Sequence, residues 1–139
     1  MKVAKAEPAR RKPSTKRAGR KFASIGIKRV YEEASAGDGI RILIDRLWPR
    51  GLSKATLKYD AWPHELTPSN ELRKWYGHDP TRAAEFRRRY MRELSAHPDE
   101  LAALRARIKG RKATLITATR ELELSHATVL RDVLMGKRG

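Results

Sequence analysis

The stretch Ile40–Gly51, IRILIDRLWPRG, decides the fold. Ile40, Ile42 and Ile44 alternate with Arg41, Leu43 and Asp45, which is the period of a strand with an apolar face. Asp45, Arg46, Trp48, Pro49 and Arg50 follow at its carboxyl end. Open α/β sheets bind their ligands at that end. A carboxylate, two guanidiniums and a large aromatic so close together are costly to desolvate as core filler.

A second confident strand, Ala113–Ala118 (ATLITA), lies late in the chain. A weaker one starts the domain near Ser24, with Ile25, Ile27 and Val30–Tyr31. Between it and Ile40, the small residues of Glu33–Gly39 form a turn. Gly51–Leu57 reads as a short helical turn capped by Ser53, and Tyr59–Trp62 as a brief strand closed by Pro63. Ser69 or Asn70 caps a helix through Trp75 that Gly77 ends. Asp79-Pro80 opens the clearest helix, with Phe86, Tyr90 and Leu94 on one face and Arg87, Arg88, Arg89 and Arg92 over much of the rest. Pro98 opens another, with Asp99 and Glu100 suited to the helix dipole, the stripe Leu101, Leu104, Ile108, and Gly110 as stop. Ser125 caps a last helix bearing Ala127, Leu130, Val133 and Leu134 and ending at Gly136. The expected fold is α/β: a single compact domain over residues 24–139 with a central, partly parallel sheet and helices packed on it. Ile40–Asp45 and Ala113–Ala118 should be adjacent and parallel, because the helical stretch between them suits a right-handed crossover.

If so, the carboxyl ends of both strands share an edge. Asp45, Arg46 and Arg50 would then meet Thr119, Arg120, Ser125 and His126. Asp45 could be a general base, a metal ligand or an anchor for Arg46. Arg46 and Arg50 could clamp a phosphate or carboxylate, with Trp48 as a wall. An internal Asp45–Arg46 or Asp45–Arg50 ion pair that holds the turn, with Trp48 as core, is an equal alternative. Ser125 begins a helix whose free N–H groups favour an anion. His126 could transfer a proton near neutral pH, although taken alone it reads better as a residue on a solvated face. In Trp75-Tyr76-Gly77-His78-Asp79, adjacent aromatics with His and Asp could line a pocket or stack on a base, but the favoured reading has Trp75 as core, Tyr76 half exposed and Asp79 as a cap. The arginines of Arg87–Arg92 read as a solvated helix surface. His78, Asp79 and His97 are too scattered to suggest a metal site.

The chain has 139 residues, enough for one domain with a proper core. It has no cysteine, which excludes disulfides, thiol nucleophiles and cysteine-based metal centres. There is no Walker A, G-x-G-x-x-G or G-x-S-x-G motif. No apolar run approaches the roughly 20 residues of a membrane helix, and no apolar segment follows the basic start as in a secretory signal. No membrane role and a cytoplasmic location are expected. Net charge is +16. Residues 1–23 carry half of it, with nine Lys or Arg against Glu7 alone. Rich in Pro and Ala and without apolar periodicity, they read as a disordered basic arm able to bind nucleic acid weakly and without sequence preference.

The blocks KRVYEE, GIRILIDRLWPRG, LRKWYGHDP, FRRRYMREL and TLITATRELELSHATVL resemble, in order, those of the YeaO-like family, domain of unknown function 488 (DUF488). The resemblance runs from about Ile27 to Leu134. It implies a compact bacterial or archaeal cytoplasmic α/β domain and no particular activity. It also implies an Asp where this chain has Glu121 and an Asn near Ser125. The basic arm lies outside it.

Taken together, the sequence points to binding of an anionic small molecule bearing phosphate or carboxylate. Arg46, Trp48, Arg50, Thr119, Arg120 and Ser125 are the candidate ligand-binding residues. Asp45 and His126 are the candidate catalytic residues, Asp45 as base or orienter of an arginine and His126 as acid. Turnover stays open, no cofactor or metal is indicated, and the oligomeric state is unset. The rival reading is a nucleic-acid-associated protein that uses the arm and the arginine-rich helix.

Overall fold

A computed structural model describes residues 24–136. The basic arm of residues 1–23 lies outside the described residues. Three strands form one sheet: β1 (Ser24–Arg29), β2 (Ile40–Leu43) and β3 (Lys112–Thr117). Their order is β1-β3-β2 and both pairings are parallel. Ser24 faces Lys112 and Arg29 faces Thr117, while Ile40 faces Ala113 and Leu43 faces Ile116. The two strands expected to be neighbours therefore are, and in the expected sense. As the middle strand, β3 is covered on both faces, which explains its nearly unbroken burial from Ala113 to Thr117.

Residues that face each other across a parallel pair share a side of the sheet. One side bears Ile42, Ile44, Ala113 and Leu115. All four helices pack there: α1 (Asn70–Tyr76), α2 (Ala83–Ser95), α3 (Pro98–Ile108) and α4 (His126–Leu134). The expected stripes are buried: Phe86, Tyr90 and Leu94 of α2, and Leu101, Leu104 and Ile108 of α3. On α4, Val129 is buried and Val133 only half so. The other side bears Leu43 and Ile116 and is covered by loops, with Leu57, Trp48, Tyr59 and Trp62 packed against it.

Caps set the helix ends. The Ser69 hydroxyl accepts from the Leu72 N–H and Gly77 ends α1 in the left-handed conformation. Asp79 accepts from the Thr81 N–H and opens a 3-10 turn, Pro80–Arg82, so the α-helix proper starts at Ala83 rather than directly after the proline. The Ser125 hydroxyl accepts from the Ala127 N–H. The brief strand expected at Tyr59–Trp62 reduces to one parallel bridge, Ile42 to Ala61. Pro63 has no N–H with which to extend it.

Gly39 enters β2 with φ 65° and ψ −134°, a region open essentially to glycine. A Cβ there would lie 2.1 Å from the Lys112 carbonyl oxygen. Gly37 has nothing within 4 Å of the corresponding position. In urea unfolding, Gly39→Ala should cost upwards of about 3 kcal/mol, by backbone clash, and Gly37→Ala within about 0.5 kcal/mol of nothing.

Candidate active site

The β2–β3 ladder ends in a substitution of groups. The Ile44 N–H still donates to the Ile116 oxygen at 3.1 Å. In a parallel ladder the Ala118 N–H would next donate to the Ile44 oxygen. Instead it donates to Asp45 Oδ2 at 2.7 Å, and the Ile44 oxygen is met by His126 Nε2 at 2.9 Å. This is why regular pairing stops at Leu43 and not at Asp45. The Thr117 hydroxyl donates to Asp45 Oδ1 at 2.6 Å, and His126 Nε2 lies 3.1 Å from the same oxygen.

Both neighbours of His126 Nε2, a carbonyl and a carboxylate, are acceptors. Nε2 must therefore carry the proton, which leaves the neutral ring's lone pair on Nδ1. No described residue bonds Nδ1. Burial alone would push the Asp45 carboxyl up. The hydrogen bond and charge of His126, then Thr117 and the Ala118 N–H, outweigh it and hold Asp45 below its ordinary value of 3.8. The ion pairs with Arg46 or Arg50 weighed from the sequence do not form. Nor does His126 sit on a solvated face, since its side chain is 13% exposed.

Asp45, Ser125 and His126 line a cleft of about 420 Å³. Of the other candidates, Arg46, Trp48, Arg50 and Thr119 also line it. Arg120 is exposed and does not. Arg46 is largely a brace, with Nε donating to the Pro68 oxygen at 2.9 Å and Nη2 to the Thr67 oxygen at 3.1 Å. Trp48 is wall and packing at once, edge-on to Tyr59 and Trp62 with centroids 5.7 and 5.4 Å away. The Ser125 hydroxyl donates to the Leu122 oxygen and caps Ala127, so it serves the chain itself. Glu121 is exposed and makes no side-chain cap bond.

Tyr76 and His78, weighed from the sequence as possible pocket residues and then read as structural, do line the cleft, while Arg73 of α1, Phe86 of α2 and Tyr31 escaped the sequence reading. Tyr76 is 6% exposed and stacks on Phe86 at 4.2 Å, so the expectation of a half-exposed ring is corrected. The half-buried ring of that pair of neighbours is Trp75, which lies under the Arg82 and Arg89 guanidiniums. Burial, then the Asp79 charge, pushes the Tyr76 phenol up, and it donates to the Leu124 oxygen at 2.7 Å. The Tyr31 hydroxyl donates to the Arg50 oxygen at 3.0 Å, tying the two rims together. The regular spacing of α1 places Arg73 near Tyr76, which was a usable signal for that pair. Nothing local pointed to Tyr31. Among the described residues no three His, Asp or Glu side chains gather to hold a metal. No described helix is long and apolar enough to cross a membrane.

Residues 24–138 match the family model described as the inactive DUF488-N3 subclade. The uncharacterized protein YeaO of Escherichia coli K12 is 43% identical over 111 residues, covering 80% of this chain and 96% of that one. An uncharacterized protein of Mycobacterium tuberculosis H37Rv is 41% identical over 114 residues, covering 81% and 95%. The chain belongs to the YeaO-like DUF488 family. No solved structure matches it. In this DUF488 domain the matched span holds the whole cleft and leaves the arm outside.

Asp45 titrates below 3.8 in the folded chain, so it adds stability above that pH and loses it as the pH falls through its lowered value. Asp45→Asn should remove this part of the acid dependence in urea melts between about pH 5 and pH 2. At pH 7 it should cost about 2 kcal/mol, because the amide keeps one accepting oxygen of two and leaves a buried donor facing an NH2 group.

Proposed function

We propose that this cleft binds a small phosphate- or carboxylate-bearing molecule. One observation carries the reading: three guanidiniums, those of Arg46, Arg50 and Arg73, line the cleft beside a single carboxylate, Asp45. That carboxylate already accepts from Thr117, Ala118 and His126, so it neutralises none of them directly. Arg50 and Arg73 are exposed and available to a ligand, while Arg46 keeps only Nη1 beyond its bonds to Thr67 and Pro68. Thr119 adds a hydroxyl at the rim. Tyr31 and Leu47, 46% and 60% exposed, offer apolar surface to the rest of the molecule. Arg120 is left out of the set, because it is not among the lining residues.

The Asp45–His126 pair has the form of an oriented base, with Nδ1 as its free nitrogen. The subclade's description as inactive weighs for binding without turnover. The domain is read as a soluble, cytoplasmic receptor for its ligand rather than as a catalyst.

Thermal shift with inorganic phosphate and with phenyl phosphate tests this. A ligand at a hundredfold its dissociation constant should add about 2.7 kcal/mol. Arg50→Ala and Arg73→Ala should abolish most of that shift and leave the unliganded melting temperature unchanged. Arg46→Ala should lower the melting temperature itself, since two backbone carbonyls lose their donor. An unresponsive wild type would leave the cleft a structural feature.

The second reading, nucleic-acid association, rests on the charge of the arm. Helix α2 supports it poorly: Arg88 and Arg89 pair with Glu85, and Arg87 with Asp132. If the arm carries the binding with about six phosphate contacts, the log–log salt slope on duplex DNA should be about −5. Replacing its nine basic residues by Gln should remove the binding and spare the anion response of the domain.

A further inference from the structure

Helix α1 ends in two successive left-handed residues where one suffices. Gly77, with φ 51° and ψ 28°, closes the helix, and its N–H donates to the Arg73 oxygen. His78 follows at φ 59°, the one described residue other than glycine with positive φ. Its Cβ makes that conformation unfavourable, and glycine or asparagine would adopt it more readily.

No contact within the described residues offsets this cost. The imidazole makes no hydrogen bond or ion pair, is exposed, and lies 6.2 Å from the Tyr76 ring without stacking on it. The turn is held from both sides instead. The Tyr76 hydroxyl is fixed to the Leu124 oxygen, and Asp79 donates its N–H to the Tyr76 oxygen while capping Thr81. Backbone strain of this kind, held in place by neighbours, clusters at ligand clamps and active sites. His78 lines the cleft together with Arg50, Arg73 and His126.

We infer that His78 is a ligand-binding residue of this cleft: its imidazole N–H donates to the anionic group drawn in by Arg50 and Arg73, and the left-handed backbone aims it there. The inference rests on the reading of the cleft as an anion site. It deepens that reading by making the bound group one that accepts hydrogen bonds from a guanidinium and an imidazole together, as a phosphate monoester or a carboxylate does.

The test uses the full chain, with inorganic phosphate and phenyl phosphate as probes in thermal shift and calorimetry. His78→Gly removes the side chain and the conformational cost together. Its unliganded melting temperature should equal or exceed the wild type's, while its affinity for phenyl phosphate falls at least fivefold. His78→Asn keeps an N–H donor and tolerates the backbone, so it should lose less. Equal affinity of the wild type and His78→Gly, with Arg50→Ala weakened, overturns the role of His78 and leaves the anion site standing. A wild type blind to both probes overturns both. A lower unliganded melting temperature in His78→Gly makes the imidazole part of the fold and also overturns the inference.

Discussion

Everything at the site depends on the Asp45 carboxylate standing in for the last rung of the β2–β3 ladder. A parallel pair would give the Ala118 N–H to the Ile44 oxygen. Here the N–H goes to Asp45 and the oxygen to His126. Two side chains thus replace one backbone bond, and each gains a fixed orientation. The sheet ends there without an orphaned polar group, which burial would make costly. The same exchange sets the imidazole tautomer and joins α4 to the tip of β2. The chemistry of the cleft and the closure of the sheet are therefore one arrangement.

A second polar arrangement shows the contrast. On the loop-covered side of the sheet, Asp38 is buried and its carboxylate is met by Lys28, Arg41 and Ser35. Burial is the largest influence there and raises the carboxyl, but these bonds together hold it far below its ordinary range. The Thr114 hydroxyl takes the Asp38 carbonyl, and Arg41 Nε takes the Lys58 carbonyl. That network is saturated by the chain itself. The cleft is not: Arg50, His78 and the Nδ1 of His126 have no partner among the described residues. Two regions rich in charge differ in whether anything is left over for a ligand.

Period and caps made the fold legible. The strand begun at Ile40, the apolar strand through Ala113 and the capped helices are present, because each is set by neighbours in sequence, although the first strand ends at Leu43 and the second helix starts at Ala83. What stayed hidden is set by distant pairs. Arg41 reads as the polar face of a strand, yet the distant Lys58 carbonyl, together with Asp38, holds it in burial. Arg46 reads as an anion clamp, yet two loop carbonyls occupy most of it. Arg120 sits next to Thr119 in sequence and is still not among the residues lining the cleft. The Asp45–His126 meeting was visible only conditionally, through the assumption of parallel neighbours.

The basic surplus of the domain also divides by partner. Glu85 and, from α4, Asp132 hold three arginines of α2, and Arg89 of α2 together with Arg82 of the preceding turn covers Trp75. On α3, Arg105 donates to the Val133 and Leu134 carbonyls and finishes α4. These cations act within the fold, and their desolvation or stacking is already compensated there. A guanidinium paired with a carboxylate gives less field to a passing polyanion than an unpaired one. At the carboxyl ends of the strands, Arg50 has no partner among the described residues and lines the cleft beside Arg46 and Arg73. Net charge alone points to the arginine-rich helix; the pairing of Arg87, Arg88 and Arg89 weakens that reading and favours the proposed anion site in the cleft.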